Sequence, residues 1–250
     1  MSHGEDIRVE CNGPVMTITM DRPDVLNALD PPAHRKLAEA FDRYGADDDL
    51  RVAILTGAGE KAFCVGSDLK VRADMGGDDM PETGFGGIAE RFDLTKPVIA
   101  AVNGHAIGGG LEMVLACDLA IAVPNAKFGL PEVRVGLAAS GGLHRLARQL
   151  PMKHATEIAL SGQLFSAEKA LEYGLVNRVV DTDALMPTTI ELANVLLAGA
   201  PMALRATKQM MLDGLGKPSL AAAFGAEYPE YEAMLSSEDA IEGSAAFLEN

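Results

Sequence analysis

Apolar residues along this chain occur in short runs, and the spacing of the runs predicts strands that alternate with helices. Residues 7–10 and 15–20 alternate apolar and polar positions around Asn12-Gly13-Pro14, which predicts a β-hairpin. Apolar runs predict strands at residues 52–56, 63–65, 97–102 and 119–123, and a short strand is predicted at 176–180. The run at 63–65 continues into a turn, where Ser67 or Asp68 is expected to cap the segment that follows.

Helices are predicted where the apolar spacing lengthens. The first begins at Asp30, a good N-cap followed by two prolines suited to a first turn, and ends at about Tyr44. Further helices are predicted at residues 111–116, 141–150, 153–160, 166–174, 183–198, 201–215, 219–235 and 237–248. Residues 71–87 contain five glycines and no sustained periodicity, which predicts a mobile surface loop. The pattern indicates an α/β protein with an all-helical C-terminal region.

The segment from Lys96 to Glu132 carries the candidate chemistry. Three glycines at 108–110 precede a helix and leave backbone N–H groups accessible, with the positive end of the helix dipole behind them. Glu112 and Glu132 follow, each beside a turn and without a cationic neighbour in the sequence. Accessible amides and a pair of carboxylates together predict an oxyanion site beside two acid/base groups.

Each of these features also has a purely structural interpretation. The glycines can form a tight turn that lets a helix pack closely on a strand. Glu112 can stabilise the helix dipole, which is worth about 0.3–1 kcal/mol. Glu132, which follows Pro131, can be a solvated loop acid.

Composition excludes several classes of function. The 250 residues carry a net charge of −15, which argues against nucleic acid or an anionic membrane as the main partner. No apolar run reaches the roughly 18–20 residues that a transmembrane helix needs. Cys11, Cys64 and Cys117 are odd in number and stand in apolar settings, which predicts buried free thiols in a reducing compartment. A cytoplasmic protein without a metal site is therefore expected.

Seven segments, in order along nearly the whole chain, resemble the crotonase (enoyl-CoA hydratase/isomerase) superfamily. They are DRPDVLNAL (21–29), AFCVGSDL (62–69), KPVIAAVNGHAIGGGLE (96–112), CDLAIA (117–122), AKFGLPE (126–132), SAEKALEYGLVNRVV (166–180) and SEDAIEG (237–243). The resemblance implies a crotonase-like ββα spiral with the acyl-CoA site over residues 1–180 and a C-terminal helical trimerisation region over 181–250. It also implies an acyl thioester of coenzyme A as substrate, no separate cofactor, and assembly as a trimer or a dimer of trimers.

The resemblance assigns roles to four residues. The backbone N–H groups of Ser67 and Gly109 would form the oxyanion hole, although Ser67 can also be a helix N-cap. Glu112 and Glu132 match the two glutamates of hydratases, which implies reversible addition of water across a 2,3 double bond. One carboxylate would take a proton from water while the other delivers a proton at C2, and the sequence does not decide which is which.

Substrate anchoring follows from the same resemblance. Backbone around Ser67, Asp68, Leu69 and Lys70 would contact the adenine and pantetheine parts of coenzyme A. Asp24 stands where the family commonly has lysine. Lys70 and Arg22 are candidate replacements as phosphate contacts, the alternative being that both are solvated charges.

Two features bear on specificity. The loop at 136–146 departs from the family pattern and places His144 either against the substrate or, as is favoured, on a helix surface. The SEDAIEG and GLVNRVV segments resemble the carnitinyl-CoA dehydratase branch. The sequence therefore indicates an enoyl-CoA hydratase, with carnitinyl-CoA dehydratase (crotonobetainyl-CoA hydratase) and 3,2-enoyl-CoA isomerase as alternatives. A non-catalytic acyl-CoA-binding or RNA-binding relative is a third kind of function, which the net charge and the glutamate pair oppose.

Overall fold

The computed structural model describes residues 6–68 and 79–237, which form two β-sheets and a set of helices. The strands are β1 (Ile7–Asn12), β2 (Val15–Met20), β3 (Val52–Gly57), β4 (Ala62–Cys64), β5 (Val98–Val102), β6 (His105–Ile107), β7 (Leu119–Ala122), β8 (Lys127–Gly129), β9 (Phe165–Ser166) and β10 (Arg178–Val179). The helices are α1 (Pro31–Ala46), α2 (Gly109–Ala116), α3 (Leu143–Gln149), α4 (Met152–Ser161), α5 (Ala167–Glu172), α6 (Leu185–Leu197), α7 (Pro201–Leu215), α8 (Leu220–Phe224) and α9 (Pro229–Leu235). Short 3-10 helices lie at Pro23–Val25, Phe85–Gly87, Pro131–Val135 and Thr182–Ala184.

The chain passes repeatedly from a large sheet to a small one. The large sheet has the order β1-β2-β3-β5-β7-β10, and the small sheet has the order β4-β6-β8-β9. Consecutive pairs β3/β4, β5/β6 and β7/β8 each place their first strand in the large sheet and their second in the small one. Helix α2 follows the second pair and α3 follows the third, so the predicted α/β fold with repeated ββα units is confirmed.

Strand positions follow from the apolar pattern. The predicted hairpin is present, with β1 and β2 antiparallel and Ile7 opposite Met20. From β2 onward the large sheet is parallel, and every residue of β3 and β5 is buried. Parallel strands covered on both faces need continuous apolar runs, and these two segments have them.

Two buried asparagines fix the crossings between the sheets. The Asn103 side chain accepts a hydrogen bond from the Gly57 N–H and donates to the carbonyls of Gly59 and Ala62. The Asn27 side chain also donates to the Ala62 carbonyl, at 2.8 Å. These bonds satisfy backbone groups of the β3–β4 connection, which would otherwise be buried without partners.

Side-chain N-caps mark the start of α1, α5 and α8. Asp30 accepts a hydrogen bond from the Ala33 N–H at the start of α1, and Ser166 accepts one from the Lys169 N–H at the start of α5. The predicted helix at 219–235 is wrong as a single element, because it divides into α8 and α9. Pro229 lacks the N–H that a continuous helix needs and instead begins the second helix. The helix predicted at 237–248 lies outside the described residues except for Ser237, which lies in no helix.

The surface loop predicted at residues 71–87 is wrong for its last part, while residues 71–78 lie outside the described residues. Phe85, Gly86 and Gly87 form a buried 3-10 helix that packs against α1 and α2. Gly87 has φ +68°, and a Cβ atom added to it would lie 2.5 Å from the Ala38 Cα. Glycine at this position therefore reflects close packing against α1 rather than a flexible loop.

Cys64 and Cys117 are buried free thiols as predicted, whereas Cys11 is exposed. Its position in β1 explains the difference, because β1 is an edge strand and only Ile7 of that strand is buried.

The C-terminal helices differ in how they are covered. Helix α6 packs on β3, β5 and β7 of the large sheet. Helices α7 and α8 leave large apolar side chains exposed: Met211, Leu212, Leu215, Leu220 and Phe224. None of the described helices is both long enough and apolar enough to span a bilayer.

Candidate active site

Three parallel strands of the small sheet end beside one another at the candidate site. Strands β4, β6 and β8 are neighbours and parallel, so their carboxyl ends meet at one edge. Ser67 follows β4, Gly109 follows β6, and Glu132 follows β8. The carboxyl edge of a parallel sheet is where loops from separate strands converge into a site, and all four predicted functional positions lie on segments that leave this edge.

The Ser67 backbone is oriented by a bridge to Leu29. The Leu29 N–H donates to the Gly66 carbonyl at 2.9 Å, and the Asp68 N–H donates to the Leu29 carbonyl at 2.8 Å. In a parallel bridge the flanking residues make these bonds, so the N–H of Ser67 itself faces away from Leu29. Within residues 6–68 and 79–237 this N–H meets no acceptor.

Gly109 is the first residue of α2, where a helix leaves N–H groups without intrahelical partners. Its neighbour Gly108 has φ +59° and donates its own N–H to the Gly129 carbonyl, which turns the chain from β6 into the helix. The Gly109 N–H has no acceptor in the described part of the chain. A Cβ atom added to Gly66 would lie 3.6 Å from the Gly109 nitrogen, so the turns that carry the two free amides contact each other.

Glu112 lies in the first turn of α2 and is only 6% exposed. Its carboxylate contacts the turn before α3, because a Cβ atom added to Gly141 would lie 3.0 Å from its Oε2 atom. The backbone N–H groups of Gly142 and Gly141 are close enough to this carboxylate to favour its ionised form. Burial and the nearby charge of Glu132 outweigh this effect and raise the pKa of Glu112 to about 7.

Glu132 lies in the 3-10 helix Pro131–Val135, immediately after β8. A Cβ atom added to Gly108 would lie 2.9 Å from its Oε1 atom, which places this carboxylate beside the start of α2. Burial raises the pKa of Glu132 as well. Its Oε2 atom is buried and meets no donor among the described residues. A buried carboxylate oxygen without a donor is costly, so this atom is a candidate contact for a bound molecule.

The raised pKa of Glu112 gives a stability prediction. Since the folded pKa of about 7 exceeds the usual 4.5, folding is favoured by protonation, and this contribution is lost as pH rises through 7. Glu112→Gln removes the charge but keeps an oxygen for the Gly141 and Gly142 amides. We expect it to be more stable than the parent above pH 7, by up to roughly 3 kcal/mol, and the gap to shrink towards pH 5.

Urea unfolding of both proteins between pH 5 and pH 8 measures this difference. Glu157→Gln, which changes an exposed glutamate on α4, is the matched control and should show no such trend. An equal or smaller free energy of unfolding for Glu112→Gln at pH 8 would contradict the assigned environment of Glu112.

The predicted substrate contacts divide into two groups. Ser67 and Asp68 lie beside the candidate site, whereas Leu69 and Lys70 lie outside the described residues. Arg22, a candidate phosphate contact, is neither free nor solvated. Its side chain is 14% exposed and contacts the carboxylates of Asp6, Asp30 and Asp68. The interpretation of Arg22 as a solvated charge is therefore wrong, and its phosphate contact stays a prediction, which the three carboxylates around the guanidinium group oppose.

His144 is exposed on α3, as the favoured interpretation of the sequence predicted. No cluster of metal-ligating side chains is found among residues 6–68 and 79–237.

Sequence reasoning missed Phe85. A Cβ atom added to Gly109 would lie 2.4 Å from the Phe85 ring, so the ring covers the glycine that carries one of the free amides. The buried His34 positions this segment, since its Nδ1 atom accepts a hydrogen bond from the Gly86 N–H at 3.0 Å. The His34 and Phe85 rings meet edge to face, with centroids 4.6 Å apart. The sequence feature that could have indicated Phe85 is its position as an aromatic residue within a glycine-rich segment.

Known proteins resemble this chain over nearly its whole length. The family model described as enoyl-CoA hydratase/isomerase matches residues 10–250. A carnitinyl-CoA dehydratase of Salmonella paratyphi A is 43% identical, covering 98% of this chain and 96% of its own. The crystal structure of an enoyl-CoA hydratase from Mycobacterium marinum is 40% identical with a TM-score of 0.90, covering 98% of this chain and 96% of its own. A carnitinyl-CoA hydratase structure from Mycobacterium avium is 38% identical with a TM-score of 0.81, covering 99% and 97%.

Proposed function

The chain belongs to the enoyl-CoA hydratase/isomerase family, and we propose that Glu112, Glu132 and the amides of Ser67 and Gly109 carry out its reaction. The protein is a hydro-lyase that adds water reversibly to the 2,3 double bond of a 2-enoyl-CoA thioester. The observation that carries the residue assignment is that two amides, neither with an acceptor among the described residues, meet two carboxyls of raised pKa at one sheet edge.

The two amides would bind the thioester oxygen. As water attacks C3, negative charge moves through the conjugated system to that oxygen, and fixed N–H donors stabilise it without reorganising. The donors come from two contacting turns, so the oxygen can accept from both at once. Hydrogen bonding to the carbonyl also makes C3 more electrophilic, which lowers the barrier to attack by water.

The two carboxyls would exchange protons with the reacting atoms. Hydration needs one base to take a proton from water and one acid to protonate C2. The pKa of about 7 at Glu112 means that near neutral pH this carboxyl is protonated in a fraction of the molecules and ionised in the rest, so it can either give or take a proton. The partnerless Oε2 atom of Glu132 supports a role in holding the water, since that water would donate a hydrogen bond to it.

A second candidate function is carnitinyl-CoA dehydratase, meaning hydration of crotonobetainyl-CoA. The 43% identity to the Salmonella protein of that name favours it. It uses the same chemistry at the same atoms and differs in the head group of the acyl chain.

A substrate panel separates these candidates. We expect the enoyl absorbance of crotonyl-CoA, a longer 2-enoyl-CoA, or crotonobetainyl-CoA to fall on addition of the protein, and the highest kcat/KM identifies the head group. A 3-enoyl-CoA that gains absorbance, while every 2-enoyl substrate is left unchanged, would identify a 3,2-isomerase instead. No change with any substrate would contradict the enzymatic proposal.

We further propose that the protein is a homotrimer or a dimer of trimers and that residues 181–250 form the trimerisation region. The apolar side chains that α7 and α8 expose support an interface between copies, because Leu215 is 66% and Phe224 is 84% exposed. The reaction would need no resident cofactor, since the groups named above supply both proton transfer and charge stabilisation. The free thiols of Cys64 and Cys117 support the cytoplasmic location proposed from the sequence.

A further inference from the structure

We infer that Arg22 is a positioning residue for the oxyanion hole, in that its charge holds the Ser67 amide in place by joining Asp30 to Asp68. This inference rests on the proposed function. Arg22 begins the segment that leads from β2 to α1, whereas Ser67 and Asp68 follow β4. The two segments meet at the bridge between Leu29 and Ser67.

Arg22 contacts acidic side chains on both sides of that bridge. Its Nη2 atom lies 2.7 Å from Asp30 Oδ2 and 3.6 Å from Asp68 Oδ2. Asp30 directly follows Leu29, and Asp68 directly follows Ser67. The guanidinium group therefore lies between Asp30 and Asp68, the residues that directly follow the two members of the bridge.

The low solvent exposure of these three side chains strengthens the interaction between their charges. The side chains of Arg22, Asp30 and Asp68 are 14%, 16% and 14% exposed. Two carboxylates this close and this poorly solvated repel each other unless a cation lies between them. Arg22 lies between them, and its loss would let this repulsion move Asp68 away from Asp30. Displacement of Asp68 would move Ser67, the adjacent residue.

Arg22 is itself held rigidly by the segment it belongs to. Its N–H donates to the Asn27 side chain at 2.9 Å, and its Nη1 atom donates to the Ala28 carbonyl. Leu26 and Asn27 both have φ +55°, a left-handed conformation that non-glycine residues adopt only when neighbouring contacts impose it. The segment between β2 and α1 thus presents a fixed guanidinium group to Asp68.

Arg22→Gln tests the role through kinetics. Because an oxyanion donor acts on the transition state, we expect kcat for crotonyl-CoA hydration to fall about 10- to 100-fold with little change in KM, somewhat less than the about 10²–10³-fold cost of removing a donor outright. Adding Asp30→Asn removes the repulsion and keeps a side-chain oxygen for the Ala33 N–H, so the double variant should recover most of the lost kcat. Arg51→Gln is the matched control, because Arg51 is half-buried and donates to the Leu197 and Gly199 carbonyls away from this bridge.

A spectroscopic measurement separates this inference from the proposed function. The infrared C=O stretch of butyryl-CoA, labelled with carbon-13 at the thioester carbonyl, falls in frequency when the oxygen accepts hydrogen bonds. We expect the stretch frequency to decrease clearly on binding to the parent protein and to Arg51→Gln. The decrease should be smaller with Arg22→Gln and should return to nearly the parent value in the double variant Arg22→Gln/Asp30→Asn. No decrease with the parent would contradict the oxyanion hole itself.

A full decrease with Arg22→Gln, together with kcat like that of Arg51→Gln, would contradict the role of Arg22 while the oxyanion hole stands. Where Arg22→Gln is too unstable to assay, Arg22→Lys replaces it. Lysine keeps the charge between Asp30 and Asp68, so a kcat and a stretch close to those of the parent are expected. A kcat about 10- to 100-fold lower together with a full decrease in the stretch frequency would contradict the inference, because the charge would then act on something other than the Ser67 amide.

Discussion

Glutamine in place of Glu112 or of Glu132 is expected to lower kcat for hydration of a 2-enoyl-CoA by about 10²- to 10⁴-fold. Hydration needs an acid and a base in the same complex, and glutamine can be neither. The substitution keeps the size of the side chain, so KM should change little. Loss of activity in each of the two single variants would show that both carboxyls take part in proton transfer.

The double variant sharpens this test. If both carboxyls act in one step, removing the second after the first costs little more, because the step is already blocked. Glu112→Gln/Glu132→Gln should therefore be about as slow as the slower single variant. Steady-state loss of enoyl absorbance measures all three proteins, with Glu157→Gln as an exposed control. Independent, multiplying losses would indicate that the two glutamates act in different ways.

The same variants separate a hydratase from a 3,2-enoyl-CoA isomerase. An isomerase moves one proton along the acyl chain, so one carboxyl can both remove and return it. Under that alternative, one of the two single variants keeps its activity with a 3-enoyl-CoA. A single variant that retains near-parent activity with either substrate would contradict the two-carboxyl mechanism.

Much of the site was predictable because its parts lie close together in the sequence. The run from Lys96 to Glu132 contains the glycine triplet and both glutamates, and local turn chemistry placed them at strand and helix ends. The parallel order of β4, β6 and β8 then brings Ser67, Gly109 and Glu132 to one edge. The acyl-CoA chemistry itself came from the resemblance of the motifs, since a glycine triplet and two acids are also compatible with a purely structural role.

The contacts that could not be predicted from the sequence are those between residues far apart in the chain. Phe85 covers Gly109 only because α1 and α2 both pack against its segment, and no local pattern encodes that meeting. Gly141 and Gly142 were expected only as a helix start, yet their N–H groups also stabilise the charge of Glu112. A glycine pair before a helix signals a tight turn but not the carboxylate that it faces.

Arg22 illustrates the same limit for charges. In the sequence it stands beside Asp21 and near Asp24, which suggests a solvated or ligand-binding cation. In the structure its main partner is Asp30, and Asp68 reaches it across the bridge to Ser67. Which acid pairs with a buried cation depends on the crossing of two segments, and single-sequence patterns do not encode that crossing.

Removal of the Gly109 N–H is expected to slow hydration by about 10²- to 10³-fold, the usual cost of losing one oxyanion donor. Proline is the residue that removes a backbone N–H, and the first position of a helix tolerates it. Gly109 occupies that position in α2. A side chain there would clash with the Phe85 ring, which lies 2.4 Å from the added Cβ, so the ring must be removed in the same protein.

The informative comparison is therefore between Gly109→Pro/Phe85→Ala and Gly109→Ala/Phe85→Ala. Both lack the ring and both carry a Cβ at 109, so effects on packing largely cancel. They differ mainly in the N–H, which alanine keeps and proline lacks. We expect the alanine protein to retain most of the activity of Phe85→Ala, and the proline protein to lose about 10²–10³ in kcat relative to it.

Thermal unfolding and the KM for crotonyl-CoA show whether the two double variants remain comparable. Because the N–H acts on charge that develops in the transition state, the difference should appear in kcat rather than in KM. Equal kcat values in two folded proteins would mean that the Gly109 amide does not bind the developing oxyanion. Stabilisation would then have to come from Ser67 or from a donor outside this sheet edge, and the two-amide mechanism would fail even if both glutamates prove essential.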